Sequence, residues 1–129
     1  MQKMLNISGK DTLCACNALT PYLYTQIFGK DFLSQVTGMR SFSGKKTEDM
    51  TEADIAEITK RSLTFGEIAF VFAKQAEIKE AAELVKLTKT DYFNWLSDKE
   101  PGTFTDARLM ADLLALWSGN TTTTTESKN

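Results

Sequence analysis

The apolar and polar positions begin with an alternation. Leu5 and Ile7 share one face of a short strand, and Ser8-Gly9 marks a turn. Leu13 lies in a return strand with Thr12 and Cys14 opposite it. This predicts a β-hairpin over residues 3–16. Beyond it the apolar period becomes helical. Thr20 as N-cap and Pro21 at the first helical position open a helix over Tyr22 to Phe28, which Gly29 ends. Asp31 caps a second short helix through Val36, stopped by Gly38. The stretch from Gly38 to Thr47 is rich in Gly, Ser and charge and reads as a mobile loop near 38–50.

Thr51-Glu-Ala-Asp54 resembles a capping box, and Ile55 and Ile58 follow as a short amphipathic helix. A stronger helix is predicted from about Leu63 to Glu77. Phe65, Ile68, Ala69, Phe72 and Ala76 recur at helical spacing there, and Phe70 and Val71 broaden the stripe. A helix apolar over most of its circumference belongs at the centre of a fold. Gly66 costs such a helix ~1 kcal/mol against Ala, and close packing would explain it. Residues 78–87 either prolong this helix or form another. Thr88 or Thr90 caps the next helix, Asp91 to Asp98, with Phe93, Trp95 and Leu96 as its bulky residues. Pro101-Gly102 ends it, and Thr103 to Asp106 starts the last helix. Leu109, Met110, Leu113, Leu114, Leu116 and Trp117 supply the apolar face of that helix, and Gly119-Asn120 marks its stop.

The expected fold is therefore mainly α: a small domain of five to six helices with a short N-terminal β-hairpin. Residues 1–120 form one domain, with Phe65, Ile68, Phe72, Trp95, Leu113 and Trp117 in its core. Residues 121–129, with five consecutive threonines, form a disordered tail that has nothing to bury.

Composition narrows the chemistry. The 129 residues carry 15 basic and 17 acidic side chains and no histidine. Without histidine, the commonest general base and the commonest metal ligand are gone. Neither half of the chain is basic enough for a nucleic-acid footprint. The longest apolar stretch, Ile68 to Ala73, is far short of the ~20 residues of a membrane span. No secretory segment precedes the hairpin. The reading is a cytoplasmic protein that binds neither nucleic acid nor membrane and is not an enzyme.

Three constellations remain. Cys14-Ala-Cys16 offers two thiols, but a structural zinc site needs four ligands. The pair reads as small residues of a reduced protein. Glu48, Asp49, Glu52, Asp54 and Glu57 form an acidic cluster that reads as a solvated face. Tyr22, Tyr24, Phe28 and Phe32 recur at helical spacing. Core packing is their default, and a partner or self-association surface is the functional alternative. No catalytic, cofactor-binding or metal motif emerges, so no cofactor is expected.

The order of segments resembles the tail assembly chaperones of long non-contractile-tailed (siphovirus-type) phages and prophages. The resemblance runs through the strand-turn-strand at Met4 to Lys10, the helix at Tyr22 to Leu33 and the apolar Ile68 to Ala76. It continues through the aromatic Asp91 to Leu96 and the ending Ala115-Leu-Trp-Ser-Gly-Asn120 with its Thr/Ser/Lys tail. It spans nearly the whole chain. The Leu-Trp-x-Gly-Asn ending and the Ala-Lys-Gln-Ala segment are its most specific parts. The resemblance implies a protein that coats the tape measure protein and helps recruit the tail tube protein in the host cytoplasm. Such a protein self-associates and is absent from the mature virion. It also implies a longer product made by translational frameshift. Ser127-Lys128-Asn129 permits the codons TCA AAA AAC, which contain the slippery heptamer A-AAA-AAC. The alternative is a small helical adaptor or regulator unrelated to phage tails.

Overall fold

A computed structural model of the chain describes residues 1–40 and 51–126. Within these, the side chains of 38–40, 54, 55, 57–60, 107 and 120–126 lie outside the described set. The loop expected at 41–50 and residues 127–129 also lie outside the described residues.

Strands β1 (Gln2–Ile7) and β2 (Lys10–Ala15) form an antiparallel hairpin, with Leu5 opposite Thr12 and Ile7 opposite Lys10. Ser8 and Gly9 both have positive φ, 57° and 79°, the requirement of a tight type I′ connection. The Asn6 side chain braces the turn by accepting from the Gly9 N–H at 3.1 Å. Leu5, Ile7 and Cys14 point into the core, whereas Met4 and Leu13 face outward.

Six helices follow among the described residues. They are α1 (Thr20–Phe28), α2 (Phe32–Arg40), α3 (Glu52–Glu77), α4 (Ala81–Leu84), α5 (Lys89–Leu96) and α6 (Ala107–Glu126). A 3-10 turn at Thr103–Thr105 leads into α6. The chain is thus a mainly helical domain with an N-terminal hairpin. The capping chemistry is local and explicit. The Asp31 carboxylate accepts from the Ser34 N–H at 3.0 Å to start α2. Thr88 and Asp91 form a reciprocal capping box for α5. Asp106 accepts from the Arg108 N–H at 2.9 Å.

Several boundaries differ from the sequence reading: α5 spans Lys89–Leu96 rather than Asp91 to Asp98, α6 begins at Ala107 after the 3-10 turn, and four further differences have clear causes. The two helices expected over 51–77 are one continuous α3. The Gly and Thr residues at 59–66 do not break it, because Phe65 to Phe72 anchors its second half in the core. Helix α2 passes through Gly38 to Arg40 rather than ending before it. Thr20 is not the N-cap of α1; Leu19 is, and the Thr20 hydroxyl is buried and used elsewhere. Finally, α6 passes through Gly119 and Asn120 to Glu126, so the expected helix stop and the unstructured reading of 121–126 are corrected. Gly119 lacks the positive φ that terminates a helix; Gly29, with φ 69°, has it and ends α1.

Helix α3 is the axis of the fold. Phe65, Ile68, Ala69, Phe70, Val71 and Phe72 are all buried, covering most of its circumference. The hairpin, α1, α5 and α6 pack around it. Leu113 is buried as expected, while Trp95 and Trp117 are only partly covered and pack against the core from its edge.

Candidate functional site

The aromatic segment on α1 and α2 divides in two. Tyr24 and Phe28 are four residues apart and share the inward face of α1, their ring centroids 5.2 Å apart. Phe32 joins them, 5.5 Å from Tyr24. All three are buried, so they cannot form the partner surface considered for them. Tyr22 lies two positions before Tyr24, on the opposite side of the helix, and is 74% exposed. Of the four, it alone is available to a partner.

The inward aromatics surround a charged group that the sequence reading passed over. Glu67 sits in the middle of α3 and is buried. Its Oε1 accepts from the Tyr24 hydroxyl at 2.8 Å and from the Lys30 ammonium at 3.1 Å; Oε2 accepts from Lys30 at 3.3 Å. Lys30 follows Gly29, whose left-handed turn brings the chain back toward α3. Burial, the Glu67 hydrogen bond and the Glu67 charge all push the Tyr24 hydroxyl's ionisation upward. Both carboxylate oxygens are occupied from within the fold. The arrangement ties α1 and its following turn to α3. The sequence signal was a lone acidic residue inside an otherwise apolar stripe.

A second polar node joins the loop before α1 to the other end of α3. The Thr20 hydroxyl accepts from the Asn17 N–H at 2.9 Å and donates to the Gln75 side-chain carbonyl. The Gln75 amide donates to Asn17 Oδ1 at 2.9 Å. The buried hydroxyl of Thr20 therefore serves tertiary structure rather than capping.

Cys14 and Cys16 are buried free thiols. Burial raises the Cys14 thiol to about 12, with the charge of Cys16 adding to it. Burial raises Cys16 to about 11, opposed by the chain's amino terminus. Thiols held protonated in this way are poor nucleophiles and poor ligands. Among the described residues no group of three or more His, Cys, Asp or Glu could hold a metal ion. In the acidic cluster, Glu48 and Asp49 and the side chains of Asp54 and Glu57 lie outside the described residues; Glu52 is exposed on α3.

What the surface does offer is apolar. Leu63 on α3 is 65% exposed and Phe93 on α5 is 59% exposed. Leu63 lines an open groove of about 220 Å³ together with Tyr92, Leu96, Pro101 and Phe104. The Phe93 ring lies 5.7 Å from that of Tyr92. Periodicity placed both residues on apolar helices but could not show that they fall outside the core. No helix among the described residues is long and apolar enough to cross a membrane. No family model matches the chain, nor does any curated protein or solved structure.

Proposed function

We propose that this chain is a tail assembly chaperone of a siphovirus-type phage or prophage, which coats the tape measure protein and helps recruit tail tube protein. The observation that carries the reading is the ordered resemblance across nearly the whole chain, from the hairpin at Met4 to Lys10 to the ending at Asn120. The exposed Leu63 and Phe93 and the groove between Leu63, Leu96 and Phe104 support it. A tape measure protein is a long helical chain whose apolar stripes aggregate when bare. An apolar groove on a helical domain can cover such a stripe by helix-in-groove binding. Many weak copies, self-associated along the chain, would bind by avidity and still yield to the tube protein. In this role the protein is not an enzyme, acts in the host cytoplasm and is absent from the virion. A longer frameshifted form would share residues 1–127.

Co-expression tests the reading. The tape measure protein from the same genome should stay in the supernatant with this chain and precipitate without it. Leu63→Asp and Phe93→Asp should each weaken that protection while leaving the thermal melt nearly unchanged, because both side chains are exposed. Equal precipitation with and without the chain would reject the role. So would a gene neighbourhood lacking tail tube and tape measure genes, which would favour the adaptor reading.

A further inference from the structure

Both thiols sit on the face of the hairpin that packs against the helices. Cys14 and Cys16 are two positions apart, so their side chains point the same way, and they are 0% and 1% exposed. Leu5 and Ile7 share that buried face. The Cys16 thiol donates to the Leu116 carbonyl of α6 at 3.7 Å. With the sulfurs enclosed in this way, neither can carry an added group while the hairpin is docked.

The hairpin is organised to move as a unit. Its residues form one continuous stretch and its ladder closes on itself: β1 pairs with β2 throughout, and the Cys16 N–H donates to the Met1 carbonyl at 3.1 Å. Peeling the hairpin from the helices breaks none of those bonds. It is held down by apolar packing against α3 and α6, by the Glu100 N–H, which donates to Ser8 Oγ at 2.8 Å, and by the Cys16–Leu116 contact. Contiguous units of this kind open at a lower cost than global unfolding. Burial is the chief cause that raises both thiols, so in the peeled state they regain ordinary acidity and become nucleophiles.

We propose that the hairpin is a redox latch: residues 1–16 peel from α3 and α6 as one body, and a low-molecular-weight disulfide captures Cys14 and Cys16 and holds the hairpin off. In each capture the cysteine thiolate attacks one sulfur of the disulfide R–S–S–R. A protein–S–S–R bond forms, the R–S–S–R bond breaks, R–S⁻ leaves and the thiol proton passes to solvent. The cysteine sulfur is oxidised and the departing sulfur is reduced. The two cysteines do not bridge each other instead, because two strand positions put their Cα atoms about 6.8 Å apart, at the limit for a disulfide, with parallel Cβ vectors. Oxidising conditions thus uncover the face of α3 beneath the hairpin, and a thiol reductant restores it. The inference is independent of the chaperone reading.

The test uses the full chain and oxidised glutathione. Both thiols should react about a hundredfold or more slowly than in denaturant, the factor being the opening equilibrium. The variants Cys14→Ala and Cys16→Ala leave one thiol each. Divided by its own rate in denaturant, the remaining thiol should react equally fast in both, because one opening exposes both positions. Ser8→Gly keeps the left-handed turn and removes the acceptor of the Glu100 N–H, and should speed both thiols about fivefold, the net worth of one hydrogen bond. The reaction rate should rise less steeply with urea than the helical circular dichroism signal is lost. The product should carry two glutathiones, keep its helical signal and return to the starting protein in dithiothreitol. Equal urea slopes would mean that only global unfolding exposes the thiols and would overturn the proposal. So would unequal normalised rates at the two thiols, no acceleration by Ser8→Gly, fewer than two adducts, or loss of the helical signal in the adduct.

Discussion

The Tyr24 hydroxyl donates to Glu67 at 2.8 Å, joining α1 to the middle of α3 inside the core. The two residues, with Lys30, predict an order of mutational costs. Lys30 is 42% exposed, so Lys30→Ala should cost only ~0–1 kcal/mol. Tyr24→Phe removes one donor but leaves Glu67 bonded to Lys30, and should cost ~1 kcal/mol. Glu67→Ala leaves the Tyr24 hydroxyl buried without its acceptor and opens space in α3, so its cost should be largest, ~2–4 kcal/mol. Denaturant melts of the three variants check the order. A Lys30 variant as damaging as the Glu67 variant would show that the ion pair, not the buried hydroxyl, dominates.

Gly66 should resist replacement by alanine. In an exposed helix that change would gain ~1 kcal/mol. Here a Cβ would stand 2.7 Å from Tyr92 Oη and 3.3 Å from Phe104 Cδ2. Tyr92 is buried and cannot swing aside freely. Overpacking of this kind costs ~1–3 kcal/mol and outweighs the propensity gain. In a Tyr92→Phe background the obstructing oxygen is gone, so Gly66→Ala should become neutral or stabilising. A double-mutant cycle by thermal melts measures the coupling.

Stability should fall at alkaline pH. Cys14 is raised from 9.0 to about 12 and Cys16 from 9.0 to about 11, both chiefly by burial. Tyr92 is raised from 10.0 to about 12, again by burial first and then by the charge of Glu67. Each group stays neutral in the fold at pH values where the unfolded chain has already released its proton. Stability is therefore whole below pH 9.0, and is lost as pH climbs through that value toward about 12. Replacing both cysteines with alanine should move the onset upward, toward the ordinary tyrosine range. Melting temperatures measured across this range, with and without the thiols, decide it.

Much of this architecture was legible because it rests on local rules. The positive-φ turn at Ser8-Gly9, the Thr88–Asp91 box and the apolar stripe from Phe65 to Phe72 are each set by neighbours in sequence. What escaped depends on partners far along the chain. Thr20 looked like a cap, and Gln75, fifty-five residues later, uses its hydroxyl instead. Glu67 carries no local signal of its partners, because the groups that close over it, Tyr24 and Lys30, lie about forty residues back in the chain. The four aromatics of α1 and α2 shared a pattern, but rotation about the helix sends Tyr22 one way and Tyr24 the other.

The middle of α6 and the residues after Asn120 should behave differently. Trp117 packs edge-on against Phe32 at 4.9 Å, linking α6 to α2, yet the residue is only partly buried. A fully buried Trp→Ala change costs ~3–5 kcal/mol. Partial exposure lowers the expectation to ~2–3 kcal/mol, of which the ring pair contributes ~0.5–1.5 kcal/mol. In a Phe32→Leu background, where the ring pair is already gone, Trp117→Ala should cost less by about that amount. Deleting residues 121–129 removes a threonine-rich stretch without apolar anchors and should change stability by less than ~0.5 kcal/mol. In melting temperature that is a drop of about 10 °C for Trp117→Ala against no more than about 2 °C for the truncation. Calorimetry of the three variants checks both. A truncation as costly as Trp117→Ala would mean that the end of α6 docks on the domain.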